Sequence, residues 1–299
     1  MKATRQSTVS SIIFASTIAL AAATASAQDC KSSPCSGADK KTEPVYMAVL
    51  SGPGATAEAT KSSSDKMDAK AQKVWDRSVE STMGKHAKDR SVKSMKMVGT
   101  MSMPAQGITA NMSILIAGED GLRIEAEIPG LGAFTQGVSD GVAWSNDMMQ
   151  GPKILEGDEA KPFLQQNDLY ASLNWSEYYS SISYEGQETV TLPDDTSVEA
   201  DVLKLMDIEG ETESTQYYST ETGRLIKAES MAPMNGAKIP VTTYTMDYRE
   251  VEGMHIPFKS ITQMGPVKQV MEFSEVEVNV EIDEDQLAMP EEIKELVED

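Results

Sequence analysis

Two cysteines and two histidines in 299 residues leave little from which to build a zinc cluster or a Cys/His active site. Aromatic residues make up only 6% of the chain. Basic residues are scarce beside acidic ones: 26 Lys and Arg stand against 47 Asp and Glu, a net charge of −21. A surface this acidic suits neither nucleic acid nor anionic membranes, whose phosphates are met by Lys and Arg. Beyond residue 27 no run is long and apolar enough for a transmembrane helix, so an integral membrane protein is not expected. Asp283-Glu284-Asp285 lacks the glycine and ligand spacing of an EF-hand loop, so no metal is expected there, and no cofactor motif is found. Hydrophobic residues nevertheless reach 40%, which excludes wholesale disorder and supplies a sizeable core.

The N-terminus has three parts. Residues 1–6 carry Lys2 and Arg5 and no acid, residues 12–23 are apolar, and Ala25-Ser26-Ala27 precedes Gln28. This is the layout of a cleaved secretory signal peptide over 1–27. The apolar run is short for a membrane span, and Gln28-Asp29 before Cys30 do not fit a lipoprotein signal. A periplasmic or extracellular protein is expected. Cys30 and Cys35 would then meet an oxidising compartment, either as a small staple or as two idle thiols. Residues 28–66 are rich in Ser, Lys, Ala, Gly and Pro with balanced charges and read as a flexible linker. The apolar island at 45–50 is either a short edge strand or a docking segment.

A helix is expected to begin near Ser64 or Asp65. Ala71, Val74, Trp75, Val79 and Met83 recur at helical spacing, and Gly84 is a C-terminal stop. From Val92 the period becomes two. Met95, Met97, Met101 and Met103 alternate with mostly polar residues, and Leu122, Ile124, Ala126 and Ile128 alternate with Arg123, Glu125 and Glu127. Residues 134–138 and 142–145 make a hairpin across Asp140-Gly141. A helical stretch is expected between Asp158 and Asn167, and strands at about 180–187, 197–208, 212–219, 224–230, 239–249, 254–264 and 267–280. About a dozen strands in meander order favour one large curved antiparallel sheet. Residues 291–299 read as an acidic tail or short helix. The acid is concentrated: residues 185–213 hold ten Asp and Glu, and residues 272–299 hold twelve. Solvated strand faces account for it.

Gly137-Val138-Ser139-Asp140-Gly141 matches G-x-S-x-G, but a hydrolase needs a strand-to-helix turn there and this stretch reads as strand, turn, strand. Ser139 is therefore not expected to be a nucleophile, and its replacement by Ala is expected to change nothing. His86 and His255 lack ligand or triad spacing and read as surface or edge residues. The 19 methionines are more informative. Flexible thioethers suit surfaces that accept varied apolar shapes. The four on the first strand, Met95, Met97, Met101 and Met103, are candidates for the wall of an apolar groove; ordinary core packing and Met-x-Met copper(I) binding are the other readings.

Several segments together carry a resemblance. They are Met101-Ser102-Met103-Pro104, Ile128-Pro129-Gly130-Leu131-Gly132, Asp140-Gly141-Val142-Ala143-Trp144, Tyr218-Ser219-Thr220-Glu221-Thr222-Gly223-Arg224-Leu225, and Asp247-Tyr248-Arg249-Glu250-Val251-Glu252-Gly253-Met254-His255-Ile256-Pro257. In this order, over residues 67–290, they resemble the outer-membrane lipoprotein-sorting proteins, the LolA-like superfamily. The resemblance implies a mainly β (α+β) fold, an unclosed antiparallel β-barrel or half-barrel with an N-terminal helix and a few lid helices. It also implies a non-catalytic periplasmic binding protein for lipoprotein acyl chains or another lipidic ligand. The alternative is a cell-envelope structural or interaction domain with no small ligand.

Overall fold

Alternating patterns joined by tight turns build the sheet one hairpin at a time. The computed structural model describes residues 66–298, apart from 119–120, 131, 148–150, 211 and 235–236. The expected signal peptide, Cys30, Cys35 and the island at 45–50 lie outside the described residues. Six strands come first: β1 (Met95–Met103), β2 (Ile108–Ile116), β3 (Leu122–Ile128), β4 (Gly132–Ser139), β5 (Val142–Asp147) and β6 (Gly151–Ile154). Seven follow: β7 (Tyr179–Thr191), β8 (Ser197–Asp207), β9 (Glu213–Ser219), β10 (Leu225–Met234), β11 (Ala237–Val251), β12 (Met254–Met264) and β13 (Val267–Val278). All pairings between named strands are antiparallel, in the order β6-β5-β4-β3-β2-β1-β13-β12-β11-β10-β9-β8-β7.

The pairing of β1 with β13 joins two meanders through the first and last strands. It leaves β6 and β7, neighbours in sequence, at opposite edges of one sheet. The result is an unclosed antiparallel barrel. The connection between those edges carries helix α3 (Lys161–Asn167), which packs on β3 and β4.

Helix α1 (Ala69–Met83) precedes the sheet, followed by the single turn α2 (His86–Asp89). Asp68 caps α1, its Oδ1 accepting from the Lys70 and Ala71 amides at 2.9 Å. Ala71, Trp75, Val79 and Met83 form its buried stripe. The helix starts later than the sequence suggests because the preceding residues are extended. Met67 bridges Ile182 in parallel, and the Ile182 amide donates to the Lys66 carbonyl at 2.9 Å. This short bridge covers part of the β7 edge.

The two faces of the sheet are packed differently. On the face beneath α1, Met95 stands opposite Ile116, and the row continues through Leu122, Val138 and Ala143. Met97 stands opposite Ile114, and Met101 lies between Ala110 and Met271. On the opposite face Gly137 pairs with Trp144, and the turn α4 (Glu284–Leu287) packs on β3 and β4. Helix α5 (Glu291–Glu298) reaches β6. A second apolar cluster, Val190, Ala200, Val202, Tyr217 and Ile226, holds the β7–β10 end together. Among the described residues no helix is long and apolar enough to cross a membrane.

Candidate functional site

A pocket of about 70 Å³ lies between α1 and the sheet. Trp75, Val79 and Met83 form its roof. Its walls come from five strands and include Met95, Tyr218, Leu225, Tyr248 and Ile256. The roof is tied down by a few polar contacts. The Trp75 indole N–H donates to the Ser172 carbonyl at 2.6 Å, and Arg77 Nη2 donates to the Glu221 carbonyl at 2.7 Å. His255 Nδ1 stands 3.0 Å from the Ser81 carbonyl; a carbonyl only accepts, so this nitrogen carries the proton. Asp68 Oδ2 accepts from the Tyr184 amide at 2.8 Å, fixing the start of α1 against β7. Trp75 meets Tyr179 and Tyr218 edge-on, with ring centroids 6.4 and 6.3 Å apart.

The lining is close to electrically neutral. Among the described residues no Asp, Glu, Lys or Arg borders the pocket. Burial pushes the Tyr218 hydroxyl well above the ordinary phenol range and raises Tyr248 to about 12, so both stay protonated at physiological pH. The Tyr218 hydroxyl donates to Gln216 Oε1, and the Tyr248 hydroxyl donates to the Leu225 carbonyl at 2.8 Å. This pocket can take an uncharged, largely apolar group. Among the described residues no cluster of three or more His, Cys, Asp or Glu is placed to hold a metal ion.

Met95, Met97, Met101 and Met103 all point to the face beneath α1, each no more than 1% exposed. Of the four, Met95 alone borders the pocket. The remaining lining residues come from α1, from β9 to β12 and, at Ser172, from the connection after α3, and the sequence did not mark them as a site. A signal was present, because Tyr218, Leu225, Tyr248, His255, Ile256 and Pro257 all fall in the segments that carry the family resemblance.

Two expectations need correction. His86 is not a surface residue. It is 4% exposed, with Nε2 2.8 Å from the Glu252 carbonyl and Nδ1 2.6 Å from Ser91 Oγ, because α2 tucks against the β11–β12 turn. Ser139 is not idle either. Its hydroxyl donates to the Leu287 carbonyl at 2.8 Å and accepts the Trp144 indole N–H at 3.2 Å, which fastens α4 to the sheet.

The G-x-S-x-G pattern has a packing origin. A Cβ on Gly137 would stand 2.7 Å from the Trp144 ring. Asp140 and Gly141 both have positive φ, +52° and +78°, as a two-residue hairpin turn requires.

No family model matches the chain. No curated protein matches it. Solved structures do share the fold. A DUF1329 family protein from Desulfovibrio piger superposes with a TM-score of 0.52 at 10% identity, covering 73% of this chain and 97% of that one. A LolA superfamily protein from Nitrosomonas europaea gives a TM-score of 0.49 at 14% identity over the same shares of the two chains. At such identities the likeness concerns the fold alone.

Proposed function

We propose that this chain is a non-catalytic binding protein that holds an acyl chain, of a lipoprotein or another lipid, between α1 and the sheet. The observation that carries the reading is the neutral, apolar pocket roofed by a helix held through few polar ties. The methionine-bearing β1 runs from its wall into the barrel. A pocket of about 70 Å³ is smaller than the roughly 300–1,000 Å³ of small-molecule sites. Binding therefore proceeds by displacement of α1 and repacking of the methionines, whose unbranched side chains change rotamer readily. The polar ties of α1 oppose this by about 0.5–1.5 kcal/mol each. The location that suits this role is the periplasm, reached through the signal peptide expected at 1–27.

A second reading is favoured by one observation: Met97, Met101 and Met103 are fully packed. On that reading the domain is an envelope structural or interaction module and the methionines are simply core. Organic extraction of the purified protein followed by mass spectrometry separates the two. Co-purified lipid in stoichiometric amount supports the carrier. A lipid-free extract, with no uptake from added lipid, supports the structural module.

A further inference from the structure

The face beneath α1 is not uniformly apolar. Two adjacent rows on β11, β12 and β13 are polar. In one row Thr245 stands opposite Ser260, which stands opposite Met271, which stands opposite Met101. In the next, Thr243 stands opposite Thr262, which stands opposite Gln269. All five polar residues are buried, Gln269 to 3% exposure and Ser260 to 8%. Thr243 and Thr262 satisfy each other across 3.1 Å, and the Thr245 hydroxyl donates to the Leu225 carbonyl at 2.5 Å. Among the described residues Ser260 Oγ and Gln269 Nε2 have no hydrogen-bond partner. Buried polar atoms without a partner are few in native proteins and each calls for a reason. Here two lie in neighbouring rows, and the first row begins at Thr245, which lines the pocket.

We infer that Ser260 and Gln269 are specificity residues that receive the uncharged polar head of the ligand, an ester- or hydroxyl-bearing lipid such as a glyceride. The inference rests on the acyl-binding reading above and names the class of lipid. Ser260 Oγ can donate or accept, and Gln269 Nε2 donates, so together they meet ester carbonyls and hydroxyls. Among the described residues no Lys or Arg borders the pocket to receive a carboxylate or phosphate, and the net charge of −21 disfavours an anion further. The methionines Met271 and Met101 continue the same row and take the acyl chain.

The test is competition against a fluorescent acyl probe by three ligands of equal chain length: monopalmitoylglycerol, palmitate and hexadecane. The wild type is expected to prefer the glyceride over both others by about tenfold, the worth of one or two well-placed hydrogen bonds. In the double variant Ser260→Ala and Gln269→Met that preference should shrink to about twofold or less. Urea midpoints should hold or rise, since each substitution removes a buried group without a partner. Ser260→Ala alone serves if the double variant does not fold, with an intermediate loss of preference expected. A wild type that binds the probe but does not discriminate, or a preference that survives the substitutions, overturns the inference and leaves acyl binding standing. A wild type that binds no probe at all removes both.

Discussion

Asp168 follows α3 in the connection that links the two edge strands, and among the described residues no cation is bonded to its buried carboxyl. Its exposure is 5%. Its Oδ1 accepts from the Tyr170 amide at 3.0 Å, and its Oδ2 accepts from the Tyr178 hydroxyl. Burial raises its pKa from 3.8 to about 7; the Tyr178 hydrogen bond pulls it down, Glu177 pushes it up and Arg90 pulls it down. The folded pKa lies above the unfolded one. This group's stabilising contribution is therefore full below about pH 4 and is lost as pH rises towards and through 7. A shift of about three units corresponds to at most about 4 kcal/mol, and partial hydration of the ionised carboxylate lowers the expectation to about 1–3 kcal/mol.

Asp168→Asn keeps an acceptor for Tyr170 or Tyr178 and removes the titration. Urea unfolding followed by tryptophan fluorescence at pH 5 and pH 8 reads the effect on both proteins. The variant's stability relative to wild type should rise by about 1–3 kcal/mol between the two pH values, because the titration of the many other acids cancels in the difference. A difference that stays flat, or that grows as pH falls, refutes the argument.

Other perturbations follow from the same contacts. Trp75→Ala should cost about 3–5 kcal/mol in urea unfolding, since it removes the largest side chain between α1 and the sheet. Ser139→Ala should cost about 1–3 kcal/mol by leaving the Leu287 carbonyl and the Trp144 indole without their partner. Ester hydrolysis by wild type and variant alike should stay at the buffer rate. Met101→Asp places a carboxylate among fully buried side chains. Desolvating that carboxylate costs several kcal/mol, so the thermal midpoint should fall, and an acyl probe should lose binding if the row opens to a ligand. A collapsed midpoint, with no probe binding by the wild type, assigns the methionines to the core.

The sheet was legible because period-two patterning and Asp-Gly or Glu-Gly turns are local. The hairpin across Asp140-Gly141 is the clearest case, with strand ends at Ser139 and Val142. Strand β6 was missed because four residues that include Gly151 and Pro152 carry no alternating signal. The β10–β11 hairpin is longer than expected: its ladder runs to Met234 and Ala237, past the expected strand ends at 230 and 239, and takes in Pro233. The pairing of β1 with β13 and the parallel bridge of Met67 to Ile182 join distant segments, and no local pattern announces them. The pocket was hidden for the same reason, since its walls gather Trp75, Met95, Tyr218 and Ile256 from widely separated elements. Alternation placed Met95, Met97, Met101 and Met103 on one face. It carries no information on whether that face is filled or open.

The most direct measurement is the affinity of the purified protein for a series of saturated acyl probes of increasing length, followed by displacement of a fluorescent analogue. Each methylene buried under α1 contributes up to about 0.8 kcal/mol, so Kd should fall by up to about fourfold per added carbon and then level off when the space is filled. Absence of binding at every length, or a Kd that does not respond to length, would contradict the account.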